Sequence, residues 1–319
     1  MLMMRISANF RTLQTLLLPL LAIGIGARNV QAQMSLPTSV VTSATTLERS
    51  PTEQELTVSE IGDDQITHPT WQILVLIYAH TDFTYMDEEG RQRRVIGTME
   101  PREILQAAGA ARSFFEYDVP LLTSGMQTPN LTIRYPKRAL SEFSDFCQHM
   151  PSKDHIAAEL DPNFDSIIVI WEDEGVDIYS DEPINLMHCG GAAWYTGIEP
   201  TYTVIPVKSI GTDGNIFKHE WGHSILFYFE AAGTAPTPAV NNHINDEDTR
   251  YVNCLTGEAY ILADETSTRR IPNSIYNNES GFTHDYYSGL TATPDQPNRC
   301  LGINSDAWAS PPPTQNNGR

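Results

Sequence analysis

The chain has 319 residues, with 20 Lys and Arg against 40 Asp and Glu, a net charge of −20. A surface this acidic repels nucleic acid and anionic lipid, and no basic cluster along the chain offsets it, so both partner classes are excluded. The length allows one domain of two lobes or two smaller domains.

Residues 1–32 have the pattern of a signal peptide. Arg5 and Arg11 make a basic start, an apolar stretch from Leu13 to Ala27 is broken by Pro19, and Val30-Gln31-Ala32 is a small-residue cleavage site. The apolar run is shorter than the ~20 residues of a spanning helix, so an N-terminal anchor is the less favoured alternative. Cleavage leaves 17 basic against 40 acidic residues, a balance of −23. The expectation is a secreted, extracellular or periplasmic, protein with no stable membrane association. Residues 33–67, rich in Thr, Ser, Pro and Glu, read as a disordered lead-in or short pro-segment. All four cysteines (Cys147, Cys189, Cys254, Cys300) lie beyond it. In an exported chain they predict two disulfides, sequence neighbours 147 with 189 and 254 with 300 being preferred among three pairings. No pair has the CxxC spacing of a zinc site.

Ordered structure is expected from Trp71 to Ala79, an apolar run suited to a strand covered on both faces. Asp82 to Arg94 is polar around Glu89-Gly90 and reads as a loop or hairpin. Residues 101–115 place apolar side chains at helical spacing behind Pro101. Leu131–Tyr135 and Asp165–Trp171 read as strands. The acidic run Glu172–Asp177 reads as a solvated turn, with structural Ca2+ binding as the competing role. Gly190–Gly197 and Tyr202–Lys208 are two further strands, Pro206 placing the second at an edge or bulge. Asn130-Leu131-Thr132 and Asn278-Glu279-Ser280 match the glycosylation acceptor pattern. Beyond Gly233 the chain is rich in loops, and residues 310–319 read as a flexible tail.

The segment that carries chemistry is Lys218-His219-Glu220-Trp221-Gly222-His223, an HExxH motif. A shuffle of this composition yields only about 0.02 such matches, so chance is a poor explanation. From Ile216 to Ala232 no proline intervenes and apolar residues point in nearly every direction, which predicts a central buried helix. His219 and His223, four residues apart, share one face and suit a single Zn2+, with Glu220 beside them to hold a water that the zinc polarises. Two core histidines bonded to backbone are the bland alternative.

This motif resembles that of the zincin metallopeptidases. The resemblance implies an α/β (α+β) zincin-like fold covering residues 68–309. A mixed twisted sheet and the buried active-site helix would form an N-terminal lobe (about 68–233), before a loop-rich C-terminal lobe (234–309). The fourth strand would border the cleft, with the motif helix beneath it. A catalytic zinc also needs a third protein ligand. The chain is not a typical metzincin: Leu226 and Phe229 stand where that group has Gly and His, and no methionine follows Met187. Thermolysin-like zincins take a Glu from a later segment, and here His243 stands at similar range, with Asp246 and Glu258 behind it. A solvated loop is the plain reading of that stretch. His284 or Tyr286 would stabilise the oxyanion from the second lobe, Asp285 orienting the histidine, unless the Tyr-rich turn only packs under the cleft. His80, His149, His155 and His188 have no ligand spacing and read as surface or internally satisfied. The expected activity is hydrolysis of peptide bonds in a peptide or protein substrate, with one catalytic zinc and Glu220 as general base. The alternatives are a non-catalytic protein with a structural metal and a zinc hydrolase of non-protein amides.

Overall fold

The apolar run at the start of the ordered chain forms strand β1 (Gln72–Tyr78) in a computed structural model. The structure describes residues 68–145, 149–187, 189, 191–194, 200–210, 215–234, 252–257, 284–293 and 295–315. A hairpin follows, β2 (His80–Met86) and β3 (Gln92–Thr98), then helix α1 (Pro101–Arg112). The helical path continues through a π-helical turn (Ser113–Asp118) into α2 (Val119–Leu122). Strands β4 (Asn130–Arg134), β5 (Ser166–Trp171), β6 (Glu174–Asp177), β7 (Pro183–Asn185), β8 (Ala192–Trp194) and β9 (Thr201–Pro206) lead to the long helix α3 (Asn215–Ala232). Beyond it lie β10 (Val252–Asn253), α4 (His284–Tyr287), β11 (Thr291–Thr293), β12 (Gln296–Leu301) and α5 (Ser305–Ala309).

The protein is thus a mixed α/β molecule with several sheets. The central one has the order β4-β1-β5-β9-β8, its first four strands parallel and β8 antiparallel to β9. Successive side chains of a strand point to opposite faces, and both faces here are covered. Ile73, Val75, Ile77, Ile168 and Ile170 meet the helices on one side. Leu74, Leu76, Ile167 and Val169 meet Phe83 and Val95 of a second sheet, β2-β3-β6-β7, on the other. Double coverage is why β1 and β5 read as unbroken apolar runs instead of alternating ones.

The hairpin expected between Asp82 and Arg94 is present. Asp87 Oδ1 accepts from the backbone N–H of Glu89 and Arg91 (3.1 and 2.8 Å), and Gly90 takes φ +76°, which closes the turn. Four expectations need correction. The helix expected over 101–115 runs on to Leu122, because the π turn rotates Phe114 and Phe115 into the core without ending the helical path. Pro206 does not mark an edge: β9 lies between β5 and β8, and the proline is tolerated as its last residue, beyond the pairing with β8. The acidic run 172–177 is not a solvated turn. Glu172 and Asp173 are buried and residues 174–177 form β6, with the Asp177 carboxylate held by Arg93 at 2.8 Å. Residues 310–315 do not hang free: Tyr228 donates to the Pro311 carbonyl, and Thr314 donates from both its N–H (3.1 Å) and its hydroxyl (2.5 Å) to buried Asp165.

Of the expected disulfides, Cys254–Cys300 is formed and ties the end of β10 to β12. Cys189 is also disulfide-bonded; Cys147 lies outside the described residues.

Candidate metal centre

Helix α3 has 18 residues, about 27 Å at 1.5 Å per residue. Its apolar ring is complete enough to bury it against the central sheet and α4. Phe217, Trp221, Ile225 and Phe229 are wholly inaccessible. Trp221 stacks on Tyr287 (ring centroids 6.0 Å apart, planes at 19°) and donates its indole N–H to Ser166 Oγ of β5 at 3.0 Å. The Tyr287 hydroxyl in turn donates to the Lys218 carbonyl at 2.8 Å, so α4 is fastened to the turn that carries the motif.

The helical period brings His219 and His223 together. Their rings lie 4.7 Å apart at 82°, and the two Nε2 atoms are 3.2 Å apart. Two nitrogen ligands of a tetrahedral zinc, each ~2.05 Å from the ion, stand about 3.3 Å apart. The pair therefore has the separation that a shared zinc requires. The same distance suits an N–H···N hydrogen bond with one ring donating.

Glu220 is 6 % exposed, and its Oε1 lies 4.0 Å from His219 Nε2. Burial pushes its carboxyl up to about 8. What makes room for it is Gly191, the residue before β8. A Cβ there would lie 2.6 Å from both Cγ and Oε1 of Glu220, closer than any side chain tolerates. Glycine is needed here for space, since its φ is not positive. Two zinc-type nitrogens beside a buried carboxyl, with a glycine that clears its position, fit a metal ion held by the histidines. Among the described residues no third His, Cys, Asp or Glu completes the cluster. His243, Asp246 and Glu258, the candidates for that place, lie outside the described residues.

The other expected residues are placed as follows. Tyr286 is inaccessible and sits in the main core beside Tyr287, which agrees with the packing alternative for this turn. His284 is oriented by Asp285, as expected, with Nδ1 2.9 Å from Oδ1. Its other nitrogen faces two hydroxyls, Ser124 Oγ at 3.0 Å and Ser288 Oγ at 3.3 Å. His80 reaches Thr98 Oγ1, and His155 Nδ1 accepts from the Ser152 N–H at 3.0 Å, so both are satisfied locally. His188 lies outside the described residues. Two contributions escape sequence reasoning. Gly191 is visible there only as a flank of a strand, and Ser124 only as a polar residue before Gly125; in both cases the partner is distant in the chain. Compared with protein families, with curated proteins and with solved structures, the chain matches none.

Proposed function

We propose that the chain is an exported zinc-dependent peptidase in which His219 and His223 hold the metal and Glu220 moves the proton. The observation that carries this reading is the convergence of two Nε2 atoms to 3.2 Å on a buried helix, next to a buried carboxyl. A cation shared by the two imidazoles would account for their convergence beside the buried carboxyl. The third protein ligand in this proposal comes from the segment after α3, with His243 first and Asp246 or Glu258 next.

A zinc ion bound there would supply the Lewis acidity that brings the pKa of a water molecule toward neutrality. Glu220 takes the proton of the attacking water at Oε1 and delivers it to the leaving amine. His284 is left out of this centre, because its ring nitrogens bond Asp285 and Ser124.

Strand β8 favours a peptide over a glycan-linked amide. It is the fourth strand of the central sheet in chain order, it follows the glycine beside Glu220, and among the described residues only β9 pairs with it. An extended peptide joins such an edge by backbone hydrogen bonds, with its scissile carbonyl near the carboxyl. Export rests on residues 1–32; no helix among the described residues is long and apolar enough to cross a membrane.

The test is Glu220→Gln. The variant should retain zinc and lose peptide hydrolysis by roughly 10²–10⁴-fold, the span of a general base. Undiminished hydrolysis would overturn the mechanism. Metal analysis of His243→Ala beside wild type places the third ligand: zinc should be lost, and full zinc content would shift the place to Asp246 or Glu258.

A further inference from the structure

We propose that Ser124, His284 and Asp285 form a second, metal-independent nucleophilic site that hydrolyses activated carboxylic esters. The three groups stand in line: Ser124 Oγ is 3.0 Å from His284 Nε2, and His284 Nδ1 is 2.9 Å from Asp285 Oδ1. Asp285 is buried, and its second oxygen accepts from Asn253 Nδ2 at 2.6 Å, so the carboxylate is fixed from both sides. Ser124 is exposed, which an attacking nucleophile must be.

Proton accounting gives the direction of the bonds. A carboxylate only accepts, so His284 Nδ1 carries the hydrogen and Nε2 of the neutral ring carries the lone pair. Desolvation lowers the His284 pKa, which favours that neutral ring. Ser288 directs its single hydroxyl proton to the Leu122 carbonyl at 2.8 Å, so it has none to give to Ser124 Oγ at 3.0 Å or to His284 Nε2 at 3.3 Å. The one proton between Ser124 and these two acceptors is its own, and when it points to Nε2 the pair has the arrangement that activates a serine.

The backbone supports the assignment. Ser124 follows the last residues of α2 with φ +51°, in the left-handed region, where glycine or asparagine is the usual choice. Serine is strained there, and strain held in place by surrounding structure clusters at functional positions.

The substrate class follows from what is missing. The amides of Ser124, Gly125 and Met126 are already bonded to the carbonyls of Leu121, Pro120 and Thr123. None of the three is free to form an oxyanion hole, whose loss costs on the order of 10²–10³ in rate. Such a site can open aryl or other activated esters, whose leaving alcohol needs little help, but not amides. Ser124 Oγ bonds to the ester carbonyl carbon as its proton passes to His284 Nε2. The C–O bond to the alcohol breaks, and the alcohol leaves with that proton. Water then attacks the acyl-serine, its proton moves through Nε2 back to Ser124, and the carboxylic acid is released.

The experiment uses the full chain treated with a zinc chelator, which separates this site from the peptidase proposed above. A fluorescent alkyl fluorophosphonate should label it once, at Ser124 by peptide mass, with release of fluoride, and p-nitrophenyl acetate should be hydrolysed. Ser124→Ala should lose both by at least about 10²-fold. Ser124→Gly should do the same, and glycine suits the left-handed conformation, so loss of folding does not confound it. Asp285 acts through His284 as a positioning residue, its carboxylate bonded to Nδ1 of that ring. In Asp285→Asn the midpoint of the pH dependence of labelling should fall, since the imidazolium loses its carboxylate. Labelling elsewhere, no labelling of the wild type, or equal labelling of both Ser124 variants would overturn the proposal. An unmoved midpoint in Asp285→Asn would remove Asp285 from it.

Discussion

At the scale of single residues, the position of Glu220 depends on an absence of atoms. A methyl group at residue 191 would stand 2.6 Å from Glu220 Oε1 and 2.7 Å from Cδ. The neighbour that must give is the carboxyl itself, because Gly191 is anchored by the strand that follows it. Gly191→Ala should therefore move the carboxyl proposed to transfer the proton by about an ångström while leaving both histidines alone. A displacement of that size in a catalytic group costs on the order of 10²-fold in rate. Peptide hydrolysis and metal content, measured together, check this: kcat should fall with zinc unchanged. An unaltered kcat would mean that the carboxyl acts from some other place.

At the scale of elements, α3 is held by aromatic packing more than by its own propensity, since Trp, Tyr and Phe are indifferent helix formers. Trp221 is the hub: it stacks on Tyr287 and Trp308 and meets Trp71, Phe114 and Phe115 edge-on, with centroids 5.5 to 6.4 Å away. Trp221→Ala should cost about 3–5 kcal/mol in urea unfolding, from the cavity and from the lost indole bond to Ser166. A cost under about 1 kcal/mol would show that the hub collapses without penalty. The Cys254–Cys300 link, across 46 residues of sequence, should contribute roughly 2–4 kcal/mol, read as a lower urea midpoint when both are replaced by Ser. Elements of this kind are legible in the sequence when their environment is uniform. β1, β5 and α3 are apolar because every side of them is covered, and the hairpin shows in Asp87 to Gly90. The second sheet is not legible, because β6 and β7 are short, and β6 comes from the end of an acidic run in which the buried Asp177 is held by Arg93, 84 positions away. The His–Glu–His part of the centre is local and readable from spacing. Gly191 and Ser124 take their meaning from partners 29 and 160 positions away, which no periodicity encodes.

At the scale of the whole molecule, the acidic balance acts through carboxyls of two opposed kinds. Desolvation raises Glu172 to about 7, Asp173 to about 6 and Glu220 to about 8. Each binds its proton more tightly in the folded chain than in the unfolded one, where carboxyls titrate near ~4. Their contribution to stability is complete below ~4 and is lost as pH rises through 6 to 8. The other kind is held low by a cation: Arg93 at Asp177, Arg94 at Asp82 and Lys208 at Glu103. Those contributions are present above ~4 and are lost as pH falls toward their folded values. Stability should therefore peak near about pH 5 in chelator-treated protein and decline toward pH 8, tempered below ~6.5 by His155 and His284, whose pKa values desolvation lowers and whose contribution is lost as pH falls. Zinc bound beside Glu220, as proposed, would favour the carboxylate and remove one of the three losses, besides adding its own binding free energy. Thermal midpoints taken from pH 5 to 8 with excess zinc and with chelator should diverge as pH rises, the chelated curve falling more steeply. Glu220→Gln, which has no proton to lose, should flatten the chelated curve. Parallel curves for wild type with and without zinc would show that the buried carboxyl and the metal do not share a site.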